Sequence, residues 1–249
     1  KAEAFQHSLC LDLTKDRLQY AVLATSSKRI VTEQSLDLED FNREGLEAQL
    51  AEEILYYDYS SISIGGGSSR NTLIPFDLFS STSAKDIFGL NYPKPFDNVD
   101  YNRIPELGIV NIYEFPLWMK SAMVIKFPRI KLLHRSTVFL KGIFDQPTFS
   151  GKIHLLVEND QCYMAITHKS KLQFFNRFDV PSFSDLVYHL TFVMEQKEVP
   201  DDFQLMLYGV DENWEDLENF KSLCPVKVKI ADEPEKGKSF MLAKQLLCV

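Results

Sequence analysis

The apolar and polar positions repeat the same order of elements twice along the chain. Residues 8–14 (SLCLDLT) and 18–24 (LQYAVLA) are apolar runs of strand length, and 29–36 (RIVTEQSL) alternates as a half-buried strand does. Thr25-Ser26-Ser27-Lys28 is a polar turn, so the three strands form an antiparallel meander. Asp40 or Asn42 then caps a helix predicted over 43–56, with Leu46, Leu50, Ile54 and Leu55 on one face. Residues 60–64 (SSISI) form a strand ending at Gly65-Gly66-Gly67. After residue 150 the order returns. Strands are predicted at 153–158, 162–167 and 172–178, with a turn at 168–171. A helix over 184–196, capped by Ser182 or Ser184, leads to a strand at 203–208 and Gly209. The spacing from the second turn to the closing glycine agrees within a residue: Ser27 to Gly65 and Ser170 to Gly209.

Between the copies, 109–115 reads as a strand, Pro116 opens a helix to about 125, 129–133 is a strand, and 136–144 is a helix. Alternating strand and helix predict that these strands extend the first sheet in parallel. Phe144-Asp145-Gln146-Pro147 reads as a linker. Residues 226–230 and 240–247 give a last strand and helix to the second copy. The stretch 72–106 is an insertion, with 91–105 read as loop because it carries three prolines. The expected organisation is therefore α/β, with a first half over 1–148 and a smaller second half over 149–249.

Composition narrows the chemistry. The chain has 249 residues and a net charge of −8, from 27 basic and 35 acidic side chains. That balance opposes a general nucleic-acid binder. No apolar run reaches the length of a membrane span, and the start lacks a signal-peptide stretch. If Lys1 is the true start, the expected location is cytoplasmic. Cys10, Cys162, Cys224 and Cys248 have no metal-ligand spacing, and Cys10 and Cys162 sit in strand-like runs as small hydrophobes. No histidine pair has zinc-helix spacing, no nucleophile motif is present, and a metal-dependent nuclease would want a carboxylate that strand 60–64 does not supply. No catalytic residue, metal or cofactor is assigned.

The order of three strands, helix, strand, helix, strand, helix resembles a ribonuclease H-like half, and two in tandem resemble the actin-like ATPase superfamily, including its bacterial division and pilus-assembly members. Residues 62–76 (ISIGGGSSRNTLIPF) resemble the strand and loop before their R-x-x-x-x-P segment. A narrower resemblance is to an uncharacterised bacterial domain-of-unknown-function family of actin-like fold. Its pattern K-L-x-F-x-N-x-F…D-x-x-Y is met by Lys171-Leu172, Phe174 or Phe175, Asn176, Phe178, Asp185 and Tyr188. Its closing L-x-L-x-G is met by Leu205, Leu207 and Gly209, and its upstream segment by TLIPFDLF.

The resemblance implies where a nucleotide would sit: at the turn after the first strand of each half, where an Asp is followed by Gly so that backbone amides can approach phosphate. Asp12 stands at the first turn, followed by Leu13-Thr14-Lys15-Asp16 with no Gly. The second turn is Glu158-Asn159-Asp160-Gln161, again without Gly. The adenosine strand ends in Gly209-Val210, where the family pattern wants two glycines. The expected function is thus a non-catalytic, degenerate actin-like scaffold or adaptor binding a protein partner that remains to be identified. The alternatives are a Mg-ATP switch in the cleft between the halves, using remnants at Asp12, Thr14, Lys15, Glu158, Asp160 and Gly209, and a nucleic-acid-associated protein. Asp12 and Asp160 also read simply as turn formers.

One charge feature stands apart. From Phe115 to Phe144 there is no acid, while Lys120, Lys126, Arg129, Lys131, Arg135 and Lys141 are basic. This stretch is either a docking face for an acidic partner, a structured RNA or a membrane surface, or a set of cations paired with acids of neighbouring elements. Phe174, Phe175 and Phe178 put rings on both faces of one strand, which predicts a strand buried on both sides or an aromatic patch.

Overall fold

A computed structural model describes residues 3–145, 149–158, 160–231 and 240–248. The expected join near residue 148 and the predicted linker residues Gln146 and Pro147 lie outside these. The chain forms two compact units, Lys1–Gly142 with Met241–Val249, and Ile143–Phe240. The C-terminal segment expected to end the second half therefore packs with the first.

In the first unit β1 (His7–Leu13), β2 (Arg17–Ala24) and β3 (Ile30–Asp37) form the meander, and β4 (Ser61–Gly66) and β8 (Lys131–His134) add in parallel, in the order β3-β2-β1-β4-β8. The central strand β1 is buried on both faces, its polar residues Ser8 and Asp12 included. On one face Leu9, Leu11 and Leu13 meet Leu46 of α1 (Arg43–Gln49) and Met119, Ala122 and Met123 of α3 (Leu117–Lys126). On the other, Cys10, Ala21 and Leu23 meet Leu242 of α7 (Phe240–Gln245). Asn42 is the cap of α1, accepting from the Gly45 N–H at 2.8 Å. The helix is shorter than its apolar spacing suggested. Glu52 turns extended, and a 3-10 turn over Glu53–Tyr56 carries Leu55 back to the core.

The stretch between β4 and β8 departs from expectation. Strand β7 (Ile109–Glu114) does not extend the first sheet. It is the centre of a separate antiparallel sheet, flanked by β5 (Asn71–Pro75) and β6 (Val99–Ile104). Its own small core gathers Val110 and Ile112 with Ala84 and Phe88 of α2 (Ala84–Asn91). The prolines that suggested a loop over 91–105 flank β6 rather than interrupt it, so its ladder with β7 is intact. Strand β8 does continue the first sheet, and α4 (Arg135–Ile143) follows it directly.

The second unit repeats the plan. Strands β9 (Lys152–Glu158), β10 (Gln161–His168), β11 (Lys171–Asp179), β12 (Gln204–Tyr208) and β13 (Lys227–Ile230) run in the order β11-β10-β9-β12-β13. Helix α5 (Phe183–Gln196), capped by the Ser182 hydroxyl accepting from Asp185 N–H, packs Leu186, Leu190 and Val193 on Ile153, Leu155 and Leu205. Leu217 and Phe220 of α6 (Leu217–Leu223) join the same core. Strand β11 is an edge strand, so its rings are half-buried rather than enclosed on both faces. Lys169 and Ser170 both take positive φ in the two-residue turn between β10 and β11, as the right-handed twist of a tight hairpin demands.

Gly209 leaves β12 at φ +80°, and a Cβ there would come within about atomic overlap of the Val157 carbonyl oxygen. The glycine is a packing requirement of this crossing. Gly209→Ala is expected to lower stability by about 2 kcal/mol, from left-handed backbone strain and the displaced strand together. Chemical denaturation of both chains measures it, and an unchanged midpoint would contradict the reading.

Candidate functional site

The carboxyl ends of β1, β4 and β8 lie side by side. Asp12 is level with Gly65 of β4, and Gly65 with Leu133 of β8. The residue that starts α4, Arg135, is thereby delivered over the end of β1. Its Nε and Nη2 each donate to one oxygen of the Asp12 carboxylate, both at 3.0 Å. The pair is buried, with Asp12 2% and Arg135 8% exposed. Burial pushes the Asp12 carboxyl upward from its ordinary value, and the guanidiniums of Arg135 and Arg17 pull against it. Asp12 is thus an interior strand residue, not a turn former.

Gly65 makes room for this arrangement. A Cβ there would stand 3.1 Å from Asp12 Oδ1 and 3.0 Å from Gln245 Nε2. Gln245, on α7, is fully buried; it donates to the Leu11 carbonyl at 2.7 Å and accepts from the Ser63 hydroxyl at 2.8 Å. Gly65 therefore leaves room for side chains of this chain. Gly65 and Gly66 lie within β4, and Gly67, at φ +110°, turns the chain out beside the His134 ring.

The first turn is closed on itself. The Thr14 N–H donates to the Arg17 carbonyl at 3.0 Å, and the Thr14 hydroxyl donates to Asp16 at 2.6 Å. That hydroxyl bond is the main cause of the lowered Asp16 pKa. Lys15 is exposed at the tip. In the second unit Glu158 ends β9 opposite Gln161, and Asp160 occupies the hairpin turn, its carbonyl accepting from Val180 N–H at 2.6 Å. Asn159 of that turn lies outside the described residues. Among the described residues, no three His, Cys, Asp or Glu side chains gather as a metal ion would need.

The basic stretch divides. Lys120 donates to Asp100 of β6 at 2.7 Å, Lys141 lies 3.3 Å from Glu106, and Arg135 is held by Asp12. These three answer to acids of neighbouring elements, so Arg135 is no surface cation. Lys126 lies over the exposed Tyr56 ring, and Arg129 and Lys131 are exposed. Lys126 follows two exposed apolar residues of α3, Val124 and Ile125, and Leu117 is exposed at the other end of that helix.

Reasoning along the sequence placed Asp12 but missed Arg135 as its partner and Gln245 as its neighbour. The signal for Arg135 was strand order, since the residue after β8 is separated from the end of β1 by the single strand β4, a span a long side chain bridges over Gly65. Gln245 gave no local signal.

Two buried histidines were also missed. His154 of β9 is flanked by the Tyr208 hydroxyl at Nδ1 and the Thr167 hydroxyl at Nε2, each at 3.0 Å. Burial, with a smaller contribution from Lys152, pushes its pKa down to about 3. His134 accepts from Ser136 N–H at Nδ1 and donates from Nε2 to the Ser68 carbonyl, a neutral tautomer tying β8 to the exit of β4.

Comparison with known proteins agrees with this architecture. A protein of actin-like ATPase fold and unknown function from Bacteroides thetaiotaomicron VPI-5482 matches with a TM-score of 0.84 at 22% identity, over 100% of this chain and 98% of that one. PilM of the PilM–PilN type IV pilus biogenesis complex gives 0.59 at 10% identity, over 97% of each chain. The ethanolamine utilization protein EutJ from Carboxydothermus hydrogenoformans gives 0.54 at 7%, over 97% of this chain and 89% of that one. These likenesses establish the actin-like ATPase fold. No curated protein matches the sequence. Residues 1–223 match the family described as protein of unknown function (DUF3822), and the chain belongs to that family.

Proposed function

We propose that the chain is a non-catalytic actin-like scaffold that binds a protein partner. The observation that carries this reading is the buried Asp12–Arg135 pair. Both oxygens of the carboxylate that the fold would direct to a nucleotide's metal are bonded to a guanidinium. The turn beside it contains no glycine and spends its Thr14 amide on its own hairpin. Recruiting the carboxylate would require breaking a buried ion pair, at a cost of several kcal/mol. Within this reading the docking face is built on half-buried Lys126 and exposed Arg129 and Lys131, with the exposed apolar residues Val124 and Ile125 that precede Lys126 on α3. The likeness to a protein of the PilM–PilN complex is compatible with it. Nucleic acid is disfavoured by the net charge of −8.

Thermal melting of the full chain with and without Mg-ATP tests the proposal. A ligand at 100 times its dissociation constant adds about 2.7 kcal/mol of stability. No shift is expected. A shift that saturates with Mg-ATP would return the nucleotide switch built on Asp12, Lys15, Glu158 and Asp160.

A further inference from the structure

Strand β8 is the outermost strand of the first sheet, so its side away from β4 presents backbone groups with no further strand of that sheet to meet. One side chain meets them. The Leu132 carbonyl accepts from Asn102 Nδ2 at 3.1 Å, and the His134 N–H donates to Asn102 Oδ1 at 2.9 Å. Bonded in this way, the carboxamide takes the place of one peptide group of a neighbouring strand. Its orientation is fixed by its partners, because a carbonyl needs the NH2 group and an amide N–H needs the oxygen. Asn102 stands on β6, directly opposite Asn111 of β7. Asn111 is fully buried; it accepts from Asn71 Nδ2 of β5 and donates to the Thr137 hydroxyl of α4, each at 2.9 Å. All three strands of the separate sheet thereby lead to the start of α4.

These bonds bracket Arg135. The residue before it is held by Asn102, the Ser136 N–H after it donates to the His134 ring, and Thr137 is held by Asn111. Strand β8 ends at His134 and α4 begins at Arg135, so no loop between them absorbs a displacement. The Arg135 side chain spans β4 to reach Asp12, and it does so with two bonds of 3.0 Å. A shift of the helix start by about 1 Å carries both beyond hydrogen-bond distance. We propose that Asn102 and Asn111 are positioning residues, and that the separate sheet of β5, β6 and β7 is the support that keeps Arg135 on Asp12. Closure of the carboxylate then depends on the contact of β6 with β8 and not on the first sheet alone. Loosening that contact frees Arg135 before it opens β1.

Hydrogen exchange of the full chain, followed by proton–nitrogen NMR, tests this. The Arg135 Nε–H, which donates to Asp12, is compared with the Leu11 backbone N–H on the central strand, which reports opening of the first unit as a whole. Asn102→Ala is expected to speed exchange at Arg135 about tenfold relative to Leu11. Thr137→Val keeps the shape of its side chain and removes only the oxygen that Asn111 reaches; it is expected to raise the same ratio by less. Asn91→Ala removes a bond to Thr72 of β5 and none to β8 or α4, and is expected to leave the ratio unchanged. Equal acceleration at Arg135 and Leu11 in Asn102→Ala would mean general destabilisation and overturns the proposal, as does a ratio that neither Asn102→Ala nor Thr137→Val raises. Urea denaturation gives a second readout. Asn102→Ala is expected to cost less stability when Asp12→Leu and Arg135→Met are already present, and an equal cost in both backgrounds overturns the positioning role.

Discussion

Asp12→Ala is expected to destabilise the protein by about 3–5 kcal/mol, the cost of leaving a buried guanidinium without its counter-charge. Arg135 has 8% of its surface exposed and donates twice to Asp12. With the carboxylate gone it must either remain desolvated or pull the start of α4 towards water. The single substitution therefore costs more than the pair is worth. Replacing both partners, Asp12→Leu with Arg135→Met, removes the charges together and is expected to recover most of the loss. Urea denaturation of Asp12→Leu, of Arg135→Met and of the double variant gives the cycle. A double variant as unstable as Asp12→Ala would show that the region needs the charges themselves, and near-zero effects throughout would show that the pair is not buried in solution.

Acid should expose His154. Its pKa is about 3 in the folded chain, below the ordinary 6.5, because the ring is buried between the hydroxyls of Tyr208 and Thr167. The unfolded chain therefore takes up a proton on this ring first. The stability it supports is complete above pH 6.5 and is lost as pH falls from there towards 3. At about 1.4 kcal/mol per pH unit, its share between pH 7 and pH 5 comes to about 2 kcal/mol. His154→Gln lowers stability at pH 7 yet flattens the acid limb. Denaturation midpoints of both chains at several pH values between 7 and 5 make the comparison, and parallel curves would contradict the assignment.

Local pattern reached some levels of this structure and not others. The two meanders were readable, and Asn42 and Ser182 were each one of two cap candidates, because these features are set by alternation or by a capping hydroxyl or amide within a few residues. The separate sheet of β5, β6 and β7 was not, since an isolated apolar strand such as 109–114 does not say which neighbour it pairs with. The edge position of β11 escaped for the same reason. Rings on both faces look alike whether a strand is enclosed or waits at an open edge.

The site shows the same division. The missing glycines of the first turn were visible directly. What stands in their place was not. Arg135 lies 123 positions from Asp12, and Gln245 is 182 positions from Ser63, so both depend on strand order and on the return of α7 to the first unit. Three of the six cations between Phe115 and Phe144 likewise found acids on β1, β6 or the turn after it.

A crystal structure of the full chain grown with magnesium and a non-hydrolysable ATP analogue is the most direct test of the replaced nucleotide site. The account predicts Arg135 still bonded through Nε and Nη2 to both oxygens of Asp12, with no nucleotide at the 14–17 turn. An ordered triphosphate held by the amides of that turn, with Arg135 swung off Asp12, would contradict it.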